Sequence, residues 1–296
     1  MNIKATLKKN KYIYSLVIQL GESHWRIKRY LKLYIIPNII FNIRRFLRVY
    51  RFYKDSPYEK LKNVKDKHYG ERCFIIATGP SLTIEDLEKL KGETTISMNS
   101  ICLAFDETDW RPTYYGVQDE IAFIRMKKYI DELDVECKFV GDTIPKKLDI
   151  DFSGDYYYYP INMLNHKISP KKDHIKFSND PFAAIYNGYT ITYSLIQIAV
   201  YMGFKEIYLL GTDCNYSTDL NHHFRNYDDY VDPYFLYAGE MMIKAYKVAK
   251  KYADKNNIKI YNATRGGMLE VFERVDLDSV LAMNNDNTRQ LHVNHS

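Results

Sequence analysis

The residues best suited to chemistry in this sequence point to an anionic substrate. Gly79-Pro80-Ser81 follows a short apolar run and precedes a stretch with helical spacing. A turn of that composition lets backbone amides meet an anion at a helix N-terminus, where the partial positive charge favours phosphate. Gly and Pro also build ordinary turns, so the tripeptide alone does not define a site. Thr190 and Thr192 open a second helical stretch; their hydroxyls suit a phosphate or serve as plain N-caps. Asp213 closes another apolar run and sets a carboxylate at its end. His222 and His223 lie in a long polar segment, where an imidazole can take a proton from a hydroxyl near neutral pH, although a histidine so placed is more often a bystander. No Walker-type loop, zinc-ligand spacing or Gly-Xaa-Ser-Xaa-Gly elbow occurs.

These residues need a scaffold, and the pattern supplies one. Residues 72–77, 94–98, 114–117, 139–141, 205–210 and 259–262 read as strands; residues 82–90, 121–133, 190–202 and 237–255 read as helices between them. Such alternation predicts an α/β fold: a Rossmann-like, mostly parallel sheet with helices on both faces. Ligands of these sheets sit beyond the carboxyl ends of the strands. That rule gathers Gly79 to Ser81, Asn99, Gln118, Asp119, Gly211 to Asp213 and Asn262 to Gly267 onto one rim. Tyr156 to Tyr159 and residues 214–233 are polar-aromatic and aperiodic, the second long enough to be a lid (about 214–235). Residues 282–296 read as a disordered tail.

Charge divides the chain. Its formal net charge is +5, yet residues 1–72 carry about +13 and the remainder about −8. Within the arm, Ile36, Ile39, Ile43, Phe46, Tyr50 and Tyr53 recur at helical spacing, Arg44, Arg48 and Arg51 fall on the other side, and Pro37 suits the first turn. An earlier stretch around Trp25 mixes aromatic and basic residues in the same way. Such a helix suits an anionic membrane surface, with packing on the body or a homo-oligomer contact as the other uses; nucleic acid is not expected. We expect residues 1–66 to be a basic amphipathic helical arm, 67–281 the catalytic domain and 282–296 the tail. No signal-peptide cleavage site and no uncharged run of membrane-spanning length is present, so the expected location is cytoplasmic, peripheral on the inner face of the cell membrane. Cys73, Cys102, Cys137 and Cys214 are scattered and read as reduced core residues. Tyrosine, at 28 copies, suits sugar-stacking surfaces and interfaces, or reflects compositional drift.

Taken together, Ile75-Ile-Ala-Thr-Gly-Pro-Ser-Leu82, Ser97-Met-Asn99 and Gly203-Phe-Lys-Glu-Ile-Tyr-Leu-Leu-Gly-Thr-Asp213 resemble bacterial sialyltransferases of glycosyltransferase family 42. They equally resemble the motility accessory factors and the 6-hydroxymethylpterin diphosphokinase-like proteins. The likeness runs from about Arg72 to Leu281, and Asn262-Ala-Thr-Arg-Gly-Gly267 favours the diphosphokinase-like branch. It implies a nucleotide site at Gly79, Pro80 and Ser81, with Thr78 in place of the family's asparagine. It adds contacts from Asn99, Gln118, Asp119 and Thr190, with Ile191 where the sialyltransferases carry serine; Thr192, from the helix start, and Gly211, from the rim, complete the expected nucleotide site. It also implies Asp213 and Tyr216 beside the reacting phosphate, and His223 as general base with His222 as the alternative. The implied activity is metal-independent transfer from a nucleotide-sugar, of the CMP-linked sialic-acid type, to a glycan or lipid-linked acceptor, with no cofactor. The alternatives are a pyrophosphokinase using ATP and magnesium held by Asp213, Asp228 and Asp229, and an inert scaffold of a polysaccharide-assembly complex.

Overall fold

A computed structural model describes residues 11–52, 55–152, 154–164, 175–215, 224 and 235–282. The arm comprises α1 (Lys11–Tyr30), a π turn (Leu31–Ile35) and α2 (Ile36–Val49). The body follows as β1 (Arg72–Ile76), α3 (Ile84–Lys89), β2 (Thr95–Met98), β3 (Tyr114–Val117), α4 (Glu120–Glu132), β4 (Cys137–Gly141), α5 (Thr143–Leu148) and β5 (Tyr156–Tyr159). Then come β6 (Ile161–Asn162), β7 (Ile185–Tyr186), α6 (Ile191–Tyr201), β8 (Glu206–Leu210), α7 (Phe235–Lys255), β9 (Lys259–Asn262) and β10 (Glu273–Arg274). The expected Rossmann-like architecture is present. Among the described residues, eight strands order as β10-β9-β8-β1-β2-β3-β4-β5, and every pairing is parallel.

That order carries a consequence for ligands. The chain builds outward from β1 through β5 and then returns to the other side of β1 with β8, so the direction of winding reverses between β1 and β8. Helices leaving the two strands go to opposite sides, and a crevice opens at their carboxyl ends. Residues 72–76 pair with 206–210 in strict register, Phe74 opposite Tyr208 and Ile76 opposite Leu210. Both strands are apolar and buried on both faces, as a central parallel strand requires.

Tyr156 to Tyr159 corrects the expectation of an aperiodic segment: it is β5, paired with β4 from Lys138 opposite Tyr156 to Gly141 opposite Tyr159. Four identical residues show no alternation by type, although the pleat still alternates them. Tyr156 and Tyr157 are half-buried, Tyr159 is fully buried, and its hydroxyl donates to Gln118 Oε1 at 3.3 Å. Tyr114, Tyr115, Tyr193 and Tyr246 are likewise fully buried. Much of the tyrosine excess therefore serves the core, and several hydroxyl tips are paired there, as Tyr115 to the Asn99 carbonyl at 2.7 Å and Tyr193 to the Lys176 carbonyl at 2.9 Å. The four cysteines are free and buried, as expected.

The arm meets the body through its polar side. Arg48 does not lie on a solvated face: its Nε donates to the Phe182 carbonyl at 2.7 Å, its Nη2 to the Ala183 carbonyl, and its guanidinium lies 4.8 Å from the Tyr58 ring centre. Burial lowers the pKa of this guanidinium, and the neighbouring Tyr58 and Asp142 work against that. Tyr58 in turn donates to the buried Asp142 at 2.8 Å, and that carboxylate also accepts from Lys146 and from the Ile161 amide. Tyr58, Leu61 and Val64, which the expected boundary at residue 66 places in the arm, sit in the core. No helix among the described residues is long and apolar enough to cross a membrane.

Replacing Arg48 by alanine strands two buried carbonyls and removes the arm's main hydrogen bonds to the body. Arg48→Ala should therefore lower stability by about 2–4 kcal/mol in urea unfolding. Arg48→Lys should recover only part, because one ammonium lacks the fork that reaches both oxygens. An unchanged urea midpoint in the alanine variant would show that the contact contributes nothing.

Candidate functional site

The crevice at the reversal point is built by two turns that nearly touch. After β1, the Gly79 amide donates to the Gly211 carbonyl at 2.9 Å, and the Ala77 amide donates to the Leu210 carbonyl at 2.8 Å. A Cβ on Gly79 would overlap Asp213 Oδ2 and the Gly211 carbonyl oxygen, so glycine is required there by close approach. The Ser81 hydroxyl donates to Asp213 Oδ2 at 2.9 Å, tying the first turn to the second. Asp213 is buried, which pushes its carboxyl above the usual range, and the Ser81 hydrogen bonds offset this only in part.

A third loop, after β9, braces both turns. The Met268 amide donates to the Asp213 carbonyl at 2.7 Å, and the Thr212 amide donates to Thr264 Oγ1 at 3.0 Å. Arg265 reaches across to α3, both guanidinium nitrogens on Asp86 at 2.6 Å and one also on the Ser81 carbonyl at 3.0 Å. Burial pushes the Asp86 carboxyl up, but hydrogen bonds from Arg265 and Thr83 outweigh it and hold the carboxyl below its usual range. Asp86 and Thr83 also close a capping box at the start of α3.

The resulting cleft, open to solvent, has a cavity volume of about 90 Å³ and is walled by residues 77–80, Met98, Asn99, residues 190–192, residues 211–215, Met242 and Tyr246. Two features make it a polar receptacle. Asn99 holds a left-handed conformation (φ 48°), and its Oδ1 is buried with no hydrogen-bond partner among the described residues. A buried, unpaired acceptor costs free energy unless a ligand donor meets it. Opposite, Thr190 caps α6 by accepting from the Thr192 amide at 3.2 Å, and the two threonine hydroxyls lie 3.2 Å apart. Asn99 and the amide end of the eleven-residue helix α6 thus line the same cleft. Asp213 is the one carboxylate among the described residues lining it.

Of the residues expected at the site, Gly79, Pro80, Asn99, Thr190, Thr192, Gly211 and Asp213 line the cleft, and Ser81 joins it through Asp213. Gln118 and Asp119 do not line it. Gln118 Oε1 accepts from Ser194 at 2.7 Å and from Tyr159, which makes it an internal brace. Asp119 is exposed and caps α4, accepting from the Ile121 and Ala122 amides at 3.0 Å. His222, His223, Tyr216, Asp228 and Asp229 lie outside the described residues, as do residues 283–296. Phe224, the residue after His223, donates its amide to the Thr78 carbonyl at 2.8 Å, on the wall of the cleft. Met98, Cys214, Asn215, Met242 and Tyr246 were not legible as wall residues, because each sits in a segment whose pattern reports core or loop. Arg265 did carry a signal, since it lies in the Asn262 to Gly267 rim segment.

The family model of 6-hydroxymethylpterin diphosphokinase MptE-like proteins matches residues 44–219, more than half of the sequence, and the chain belongs to that family. No curated protein sequence matches it. Among solved structures, the chain is similar to the MAf glycosyltransferase from Magnetospirillum magneticum AMB-1, with 16% identity and a TM-score of 0.47 over 77% of this chain. It spans 38% of the length of that protein. It is also similar to the sialyltransferase CstII from Campylobacter jejuni in complex with a substrate analogue, cytidine-5'-monophosphate, with 17% identity and a TM-score of 0.46 over 70% of this chain and 85% of that one. A tyrosine-to-phenylalanine variant of the sialyltransferase Cst-II in complex with CMP gives 18% identity and a TM-score of 0.44 over 69% and 85%.

Asp213 sets a pH signature for the site. Its folded-state carboxyl is held above the unfolded value, so ionisation destabilises the native chain. That cost is absent below the unfolded pKa and complete once pH exceeds the folded one. Asp213→Asn should therefore raise the melting temperature more at about pH 8 than at about pH 4. A variant less stable at the higher pH would show instead that the structure favours the carboxylate.

Proposed function

We propose that the chain is a glycosyltransferase that takes a sugar from a nucleotide, CMP-linked and of the sialic-acid type, and extends a cell-surface glycan. The observation that carries this reading is the cleft at the reversal point, whose lining combines Asn99, with its buried unpaired Oδ1, and the amide end of α6. An amide carbonyl can accept from a ribose hydroxyl or base amino group, and the Thr190 and Thr192 hydroxyls with the α6 amides suit a phosphate. In the reaction an acceptor oxygen attacks the anomeric carbon, the bond from that carbon to the phosphate oxygen breaks, and the phosphate leaves with the electron pair. His223 takes the acceptor proton, with His222 as its alternative, and Tyr216 stands by the leaving phosphate. No metal or cofactor enters the scheme. Ile36, Ile39, Ile43 and Phe46, exposed on the arm among basic residues, hold the body on the anionic inner face of the cell membrane, where lipid-linked acceptors reside.

Membership of the MptE-like family favours a second reading, transfer of diphosphate from ATP to a pterin. That chemistry calls for a magnesium site built from carboxylates. Among the described residues no three His, Cys, Asp or Glu side chains converge to hold a metal ion, so Asp213 would depend on Asp228 and Asp229.

Thermal shifts separate the two. CMP should raise the melting temperature by mass action without magnesium, while UDP, GDP and ATP do so less. A shift by ATP with magnesium alone would establish the diphosphokinase reading and end the first. His223→Ala should then cut transfer by about 10²- to 10⁴-fold while CMP still shifts the midpoint. Undiminished turnover in that variant would pass the role of base to His222.

A further inference from the structure

The arm is one helical rod with a phase change inside it. In the π turn the Ile36 amide donates to the Leu31 carbonyl, five residues back, in place of the four of an α-helix. Pro37 gives the physical reason. In an unbroken α-helix its ring would press on the Leu33 carbonyl, and its missing N–H would leave that oxygen unpaired. Widening the preceding turn by one residue relieves the clash. It also delays every later residue by about 100°, the angle that one residue subtends in an α-helix.

That delay has a consequence for the surface. On α1, the exposed Leu20 and Ile27, with Leu31 at the junction, lie within about 40° of one another. On α2, the exposed Ile36, Ile39, Ile43 and Phe46, with Tyr50 just beyond, form a second strip. Were the helix α throughout, the centres of the two strips would stand about 120° apart; the π turn cuts this to about 20°. The rod, about 58 Å long, thus carries one main apolar stripe, with the exposed Ile40 and Val49 about 80–100° from its centre on either side. Arg48 and Pro37, less exposed, fall on the opposite side, where the body is. Lys28, Lys32 and Arg44 stand about 80–120° from the stripe's centre on one side, and Arg26 and Arg45 about 120–140° from it on the other, all exposed. Trp25 falls on the polar side, where the Arg29 guanidinium lies 5.2 Å from its ring.

We infer that the π turn is a phasing element that makes α1 and α2 a single in-plane binding surface for an anionic lipid bilayer. This rests on the membrane reading of the arm given above and extends it from α2 to the whole rod. The charge pattern selects the occupant. Basic flanks on both sides of the stripe match anionic headgroups at the depth where an in-plane helix lies, whereas a second copy would set these flanks against their own kind.

Alanine insertions after Tyr30 test the phase while keeping every native residue. Two or five alanines turn the strips to opposite sides, whereas three return them to within about 40°. The readout is co-sedimentation of the full chain with vesicles of phosphatidylcholine and phosphatidylglycerol, with circular dichroism confirming equal helix content. The variants with two and five alanines should bind about tenfold more weakly than the parent, and the variant with three within about twofold of it. Equal binding by all four, or equal loss in all three insertions, overturns the phasing inference and leaves the membrane reading standing. A parent chain that ignores the vesicles overturns the membrane reading itself. Self-association in solution that is lost only with two and five alanines would replace the bilayer by a second copy of the chain.

Discussion

The site depends on how closely two loops pass where the sheet reverses. Strands β1 and β8 are hydrogen-bonded neighbours up to Ile76 and Leu210, and beyond them the chain must leave to opposite faces. The separation happens within a few residues, with the Gly79 amide still bonded to the Gly211 carbonyl and no side chain between. Gly211 itself takes φ 61°, and Gly267 at φ 73° lets the third loop close on the Asp213 backbone. A methyl group at any of these three glycines would meet backbone or the Asp213 carboxylate, force the loops apart and disturb the Ser81 to Asp213 link and the cleft wall with them. Glycine is chosen here by contact distance at Gly79 and by contact distance and dihedral together at Gly267.

The strands that flank this point solve a different problem, the filling of a wide parallel sheet. Tyrosine does much of it, and each buried hydroxyl brings a polar demand into the core. Several of these demands are met by chain that needs fixing in any case. Tyr115 fixes the carbonyl of Asn99, Tyr159 and Ser194 share Gln118, and Tyr193 fixes Lys176. The fully buried Gln197 acts likewise from α6, accepting from the Ser178 and Tyr186 amides and donating to the Tyr186 carbonyl at 2.9 Å. Polar groups inside the apolar layers thereby set positions that hydrophobic packing alone leaves loose.

These particulars explain what could be read from the residues alone. Strands 114–117 and 259–262 were legible to the residue, and those at 72–76, 95–98 and 206–210 to within one, because β-branched and aromatic runs bounded by turn residues report a buried strand directly; the two-residue strands at 161–162, 185–186 and 273–274 were not read. The turns at Gly79 and Gly211 were legible as a rim because a parallel sheet sends its functional loops to one edge. Gln118 and Asp119 obey the same rule and still miss the cleft, since β3 lies two strands from the reversal point and strand order is invisible in a single sequence. The strand of four tyrosines was hidden by its uniformity. The anchoring role of Arg48 was not legible, because helical spacing gives the face a residue occupies but not which face meets the body.

Arg48 also shows that the arm and the cleft are not separate structures. The carbonyls it holds belong to Phe182 and Ala183, in a turn whose amides are fixed by Asp180 Oδ1 at 3.1 and 3.2 Å. Two residues later the chain enters β7, where Gln197 grips Tyr186, and then Asn187 Oδ1 accepts from the amide of Tyr189, held at φ 67°. The next residue is Thr190, the cap of α6 and a wall of the cleft. Six residues thus lie between the arm's anchoring carbonyl at Ala183 and Thr190 of the cleft, and along them the turns are held by buried or half-buried side chains. Fixing the arm and fixing the Thr190 wall draw on the same short stretch of chain.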